Sequence, residues 1–316
     1  MTLPLVLVPH SVGPDRAVAL RDALVEAVPD ATVRATTTPA ETADLLPEAA
    51  GYVGYHLDAE ARSRAANLRW IHCLSAGVDH YDLDALAEEG VVLTNSSGIH
   101  AEPIAEQVLW YLLTFERDMH VGQRQQAAGH WERFEGGEIR GKTLGIVGVG
   151  AIGGRTAELA SALGMEVLSI KRDTSEVPDG VDELAGPEGL HDLLPRVDYL
   201  LLACPLTDET EGLIGREELT LLGDEAVLVN VARGGVVDQD ALVRALTYHT
   251  IGGAALDVFE AEPLPDDSPL WDLSNVVITP HMAGSSPHKL DRWTEILAEN
   301  YRKLAAGETD LRNRIV

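Results

Sequence analysis

Lysine is nearly missing from this chain: only Lys142, Lys171, Lys289 and Lys303 occur among its 24 basic residues, the rest being arginine. Cysteine is scarcer still. Cys73 and Cys204 are too few and too far apart for a disulfide framework or a cysteine metal motif, so they read as small buried residues and no metal is expected. No apolar run approaches the ~20 residues of a membrane-spanning helix. The short apolar stretch from Leu3 to Val8 ends at Pro9 and lacks a basic leader, which argues against a secretory signal. A soluble, cytoplasmic protein is the expectation. Internal repeats and low-complexity segments are also absent.

Acid is what the chain has in excess: 51 Asp and Glu, giving a formal net charge of −27. Such a surface repels phosphate backbones and anionic lipid, so neither nucleic acid nor membrane is expected as a partner. It also repels itself in dilute buffer, and a Debye length of about 3 Å in 1 M salt would relieve that repulsion. A halophilic origin is therefore expected.

At 316 residues the chain is long enough for two domains, each with its own core. Its first hundred residues alternate short apolar runs (3–8, 52–54, 70–73, 91–94) with helical patterns (15–28, 58–66), as a parallel α/β sheet requires. A long helical pattern follows from about Ala101 to Met119, then a polar arm with Gly129, Trp131, Gly136 and Gly137. Trp131 suits a dimer contact or local packing equally.

The centre of the chain reads Thr143-Leu144-Gly145-Ile146-Val147-Gly148-Val149-Gly150-Ala151-Ile152-Gly153, an apolar strand breaking into GxGxxG. A strand that turns tightly into a helix presents free N–H groups and a dipole to a pyrophosphate, provided side chains do not block it. Gly148 suits the turn, Gly150 the close approach of backbone to phosphate, and Gly153 the packing of a helix from about Ile152 to Leu163 on the sheet. A second strand, Glu166 to Ile170, completes a βαβ unit. Beyond it an acid normally takes the ribose hydroxyls of NAD; here stand Lys171 and Arg172, suited to the 2′-phosphate of NADP, with Asp173 as the competing reader. NADPH or NADP is the expected form, with NADH or NAD second. Further strands at 199–202, 226–231, 253–258 and 276–279 bring the count to six, the usual number for such a domain.

Three later segments place polar residues at strand ends: Asn230-Val231-Ala232-Arg233-Gly234-Gly235, Leu256-Asp257-Val258-Phe259-Glu260-Ala261-Glu262-Pro263 and Ile278-Thr279-Pro280-His281. With GxGxxG upstream, this ordered set resembles the D-isomer-specific 2-hydroxyacid dehydrogenase family over nearly the whole chain. The resemblance implies two Rossmann-like α/β domains. A flavodoxin-like substrate domain would comprise 1–98 and 287–316, and a doubly wound dinucleotide-binding domain 99–286. It implies reversible reduction of a 2-oxo acid to a D-2-hydroxy acid, with Arg233 binding the carboxylate, His281 as general acid/base and Glu262 orienting His281.

The chemistry needs those residue types. A guanidinium matches a carboxylate in shape and charge, an imidazole exchanges protons near neutral pH, and an adjacent carboxylate favours its protonated form. The resemblance assigns substrate contact to Gly77 and Val78 in Ser75-Ala76-Gly77-Val78-Asp79. Cofactor contacts would come from Cys204, Pro205, Thr210, Val231, Ala232, Asp257, His281 and Gly284 as well as the GxGxxG turn. Ile104 replaces a threonine common in relatives, and His100 stands where pocket shape is set. A homodimer is implied. A D-3-phosphoglycerate dehydrogenase is the nearest enzymatic alternative, although the 75–79 loop offers no basic residue for a phosphate. A nucleotide-sensing corepressor-like protein is the alternative outside catalysis.

The charge reading makes a direct prediction. The melting temperature should rise between dilute buffer and molar KCl, and a flat response would remove the halophilic inference.

Overall fold

The structure, a computed structural model, describes residues 5–78 and 80–316; Leu3 and Asp79 lie outside the described residues. The chain divides into two compact units, one made of residues 1–99 and 286–316, the other of 100–285.

The first unit is a parallel sheet of β1 (Leu5–Val8), β2 (Val33–Ala35), β3 (Ala49–Gly54), β4 (Trp70–Cys73) and β5 (Val92–Asn95), in the order β2-β1-β3-β4-β5. That is the flavodoxin-like order. Parallel neighbours need crossovers, and α1 (Pro14–Ala27), α2 (Pro39–Leu45), α3 (Ala59–Arg64) and α4 (Leu83–Glu88) supply them. The strands are buried on both faces, so they read as continuous apolar runs. Val6 and Val8 of β1 pack with Leu20 and Leu24 of α1, while Leu7 packs on the other face with Ile71 and Leu86.

The second unit begins with α5 (Ala101–Glu116) and α6 (Met119–Ala128). The single helix expected to run to Met119 ends instead at Glu116, because Asp118 adopts a left-handed conformation at φ 50°. The segment from 119, expected as a polar arm, is helical up to Ala128. Its Gln, Arg and Ala favour helix, yet it buries no residue and so carries no apolar stripe to read. Irregular chain follows, with Trp131 98% exposed.

The strands of this unit are β6 (Thr143–Val147), β7 (Glu166–Ile170), β8 (Glu183–Ala185), β9 (Tyr199–Leu202), β10 (Val227–Asn230), β11 (Gly253–Leu256) and β12 (Val276–Ile278). The order is β12-β11-β10-β9-β6-β7-β8, all parallel. Seven strands therefore replace the expected six. The extra one, β8, is a three-residue edge strand with a single leucine, below what an apolar run can signal. Helices α7 (Ala151–Ala162), α8 (Leu190–Leu193), α9 (Arg216–Leu222) and α10 (Gln239–Thr247) cover the faces. Alternation along β9 serves both layers: Tyr199 and Leu201 join α5 and α7, Leu200 and Leu202 join α9 and α10.

The chain then returns to the first unit in α11 (Lys289–Ala306), which lies along α1 and buries Trp293, Ile296, Leu297 and Tyr301 in its core.

One buried group ties the first unit to pH. His72 of β4 is completely buried between the Thr94 and Ser96 hydroxyls, at 2.9 and 3.0 Å, and burial drives its pKa down to about 3. The folded chain thus keeps the ring neutral where the unfolded chain, at about 6.5, takes up a proton. The associated stability is intact above pH 6.5 and falls by up to about 1.4 kcal/mol for each pH unit below it. Denaturant unfolding of the protein and of His72→Gln should therefore show a stability difference that is flat above pH 6.5 and declines towards pH 5. A constant difference across that range would refute the assignment.

Candidate active site

All strands of the second unit are parallel, so the loops that follow them gather at one sheet edge, and the order in which strands are added reverses between β6 and β9. A crevice forms at such a point. Gly148 opens it: at φ +97°, a Cβ there would lie 2.6 Å from the Cys204 amide nitrogen. Gly153 is equally constrained, since a Cβ would stand 2.2 Å from the Gly148 carbonyl oxygen. Gly150 differs. It is the N-cap of α7, no side chain caps that end, and an added Cβ would meet nothing within 4 Å. Two glycines are thus demanded by packing, while the third leaves open space over free helical N–H groups, beside exposed Ala151 and half-buried Ile152. An anion fits there, and this backbone cradle suits a dinucleotide pyrophosphate.

Lys171 follows β7, its amide donating to the Ala185 carbonyl at 3.0 Å. The Arg172 guanidinium meets Glu209 at 2.6 Å, both groups well exposed. Asp173 accepts from the Ser175 amide at 3.0 Å; its hydrogen bonds with Ser175, helped by the Lys171 charge, hold its carboxyl below the usual range. Cys204 is buried, which pushes its thiol pKa up. Thr210 folds back on its own loop, donating to the Pro205 carbonyl at 2.6 Å and accepting from the Thr207 amide at 2.8 Å. Its hydroxyl is engaged in shaping the loop.

Beyond β10, Asn230 is buried and braces the turn: its side chain accepts from the Ala232 amide and donates to the Arg233 carbonyl, each at 3.0 Å. Val231 and Ala232 are buried, whereas Arg233 is exposed, with Nη1 donating to the Ala232 carbonyl at 2.6 Å. A Cβ on Gly234 would sit 1.9 Å from the Phe259 carbonyl carbon, so only glycine lets this turn lie against the loop after β11. That loop carries Glu262. One carboxylate oxygen of Glu262 accepts from the Phe259 amide at 3.0 Å, and the other meets His281 Nδ1 at 2.7 Å. Burial works to raise its pKa, but the His281 and Phe259 hydrogen bonds and the charges of His281 and Arg233 outweigh it, and the carboxyl stays below its ordinary value.

His281 has a positive φ of 50°, and its amide donates to the Asp257 and Thr279 carbonyls at 2.9 and 3.0 Å. With Nδ1 bound to a carboxylate, Nε2 is the ring atom left to exchange a proton. Asp257 is buried, and its carboxylate accepts from the Thr279 hydroxyl and the amides of Met282 and Ala283. The expectation of a cofactor contact at Asp257 thus meets a side chain already bonded at three points to the His281 turn. Gly284 lies against His100, whose Nδ1 is 2.9 Å from its carbonyl oxygen, and Ile104 is a core residue.

Arg233, Glu262 and His281 therefore converge in one unit. Gly77 and Val78 belong to the other, in the loop after β4, where the Ser75 hydroxyl donates to the Gly77 carbonyl at 2.9 Å and Asn95 Nδ2 to that of Ala76 at 2.5 Å. The sequence placed Asn230 and Thr279 at the ends of apolar strands, where polar residues are informative, but gave neither a role. Among the described residues no cluster of His, Cys, Asp or Glu could hold a metal, and no helix is long and apolar enough to cross a membrane.

Residues 109–283 match the family model described as D-isomer specific 2-hydroxyacid dehydrogenase, NAD binding domain. A glyoxylate reductase of Korarchaeum cryptofilum is 38% identical over 261 residues, covering 80% of this chain and 77% of that protein. A D-3-phosphoglycerate dehydrogenase of Methanocaldococcus jannaschii is 36% identical over 250 residues, 78% of this chain but 47% of the relative. An NADPH-dependent glyoxylate/hydroxypyruvate reductase from Sinorhizobium meliloti, solved with NADP and sulfate, superimposes with a TM-score of 0.81 at 27% identity over 99% of this chain and 98% of that one.

The contrast between the glycines is testable. Gly150→Ala should keep its melting temperature yet lose about tenfold or more in NADPH affinity, because the methyl group enters the phosphate approach. Gly153→Ala should lose stability first, because its methyl group has no room. Calorimetric titration and thermal melts would check both, and unaltered binding by folded Gly150→Ala would remove the pyrophosphate assignment.

Proposed function

The chain belongs to the D-isomer specific 2-hydroxyacid dehydrogenase family, and from that premise we propose that it is an NADPH-preferring reductase of small 2-oxo acids, glyoxylate first among them, yielding 2-hydroxy acids reversibly. The observation that carries the reading is the bond between His281 Nδ1 and a Glu262 carboxylate fixed by the Phe259 amide. It presents Nε2 as a proton donor, as reduction of a carbonyl oxygen requires. Arg233 lies close enough for its charge to act on Glu262. No ion pair ties it to a carboxylate among the described residues, so its guanidinium is suited to take the carboxylate of a 2-oxo acid.

A bound nicotinamide supplies the hydride. The chain does the rest: Arg233 orients the substrate and polarises its carbonyl, His281 gives the oxygen its proton, and Glu262 steadies the imidazolium. Gly77 and Val78 are proposed to meet the substrate carboxylate through backbone amides. The names of the Korarchaeum and Sinorhizobium proteins support glyoxylate as the first substrate to try, and the latter supports NADPH. Lys171 and Arg172 are the proposed readers of the 2′-phosphate; for Arg172 this means trading Glu209 for a phosphate. We further propose a cytoplasmic homodimer adapted to concentrated salt, where its −27 charge is screened.

In molar KCl the purified protein should oxidise NADPH with glyoxylate or hydroxypyruvate, and silence across a panel of 2-oxo acids with both cofactors would end the enzymatic reading. Replacing Lys171 and Arg172 together by alanine should raise the KM for NADPH by about tenfold or more while leaving that for NADH within about twofold. Equal losses would show that these two residues do not read the phosphate.

A further inference from the structure

The His281 turn is held from below by a side-chain relay that begins on a helix with no place in the chemistry. Tyr111 of α5 is fully buried, and its hydroxyl is hydrogen bonded to the Thr279 hydroxyl. Thr279 Oγ1 in turn donates to Asp257 Oδ1 at 2.5 Å. A carboxylate only accepts, so Thr279 gives its proton to Asp257 and its lone pair to Tyr111, and every bond in the relay points the same way. Asp257 Oδ1 also accepts from the Met282 amide at 2.9 Å, and Oδ2 from the Ala283 amide at 3.0 Å. The backbone of Asp257 completes the grip by accepting from the His281 amide.

Three successive residues, 281 to 283, are therefore fastened to one buried side chain and its own carbonyl. The fastening is needed, because a histidine at φ 50° does not hold that conformation unaided. The relay joins two buried side chains, Tyr111 and Asp257, through half-buried Thr279, and aligned hydrogen bonds shielded from bulk water reinforce one another. We propose that Tyr111 and Thr279 are positioning residues for catalysis: through Asp257 they fix the turn that aims His281 Nε2, without touching substrate or cofactor. This rests on the reading of His281 as the proton donor.

Thr279→Val, Thr279→Ser, Tyr111→Phe and the double variant Tyr111→Phe/Thr279→Val would test it, each measured for glyoxylate reduction with NADPH in molar KCl. Misaiming a proton donor by about an ångström costs up to about a hundredfold. Thr279→Val should lose about ten- to a hundredfold in kcat, keep its KM for glyoxylate within about twofold, and show an altered pH dependence of kcat/KM. Thr279→Ser, which restores the hydroxyl, should recover most of the loss. Because Tyr111 acts only through Thr279, the double variant should be no slower than Thr279→Val alone.

A lowered melting temperature with unchanged kcat, or a loss that serine does not rescue, would overturn the proposal. Additive losses in the double variant would do the same. Hydrogen exchange of the Met282 and Ala283 amides gives a readout independent of turnover. It should accelerate in Thr279→Val and not in Thr279→Ser, and equal protection in both would reject the relay. Absence of wild-type turnover would instead count against the reductase reading itself.

Discussion

Parallel strands cannot be joined by tight turns, and almost everything about this protein follows from that constraint. Each strand must be followed by a crossover, so every strand of a sheet ends on the same edge. In the second unit this places the glycine turn after β6, the basic pair after β7, Asn230 to Gly235 after β10, Asp257 to Glu262 after β11 and the His281 turn after β12 along one line. Residues separated by more than fifty positions, as Gly148 and Cys204 are, become neighbours with no sequence-local reason. The same constraint buries both faces of the sheet and leaves chemistry only its edge.

Within that edge, glycine and buried polar groups divide the labour. Gly234 removes a side chain so that one loop can lie on the next, and Asn230 stitches the resulting turn. Asp257 closes the far end by accepting from the turn it faces. Acid is plentiful in this chain, and arginines accordingly find carboxylates: Arg62 meets Glu89, Arg196 meets Glu183, and Arg155 bridges Glu102 and Glu158. Arg233 instead donates to the Ala232 carbonyl, and what sets it apart is its place at the sheet edge, where its charge reaches Glu262.

The strands that position the site were legible because they are buried: β4 and β9 throughout, and β7 in all but its first residue, Glu166. What escaped the sequence had little or no burial to announce it. The edge strands β2 and β8 are three residues long, and α6 is a helix by propensity alone. Arg172 was legible as a charge but its pairing with Glu209 was not, since that contact spans 37 residues and depends on how two loops lie. Tyr111 was invisible for another reason: an aromatic on the buried side of a helix reads as packing, and its hydroxyl acquires meaning only when Thr279 is found beside it.

The two units also differ in how the ribosome must deliver them. Residues 100–285 form a contiguous unit, whereas the first unit is made of both ends of the chain. Its core contains Trp293, whose indole donates to the Leu74 carbonyl at 3.1 Å across 219 residues of intervening sequence. The sheet of the first unit leaves the tunnel early but lacks the helix that covers one of its faces until Lys289–Ala306 has been made. The unit made second is therefore the first that can close, and the unit begun first must wait, part of its apolar face uncovered, for residues 286–316.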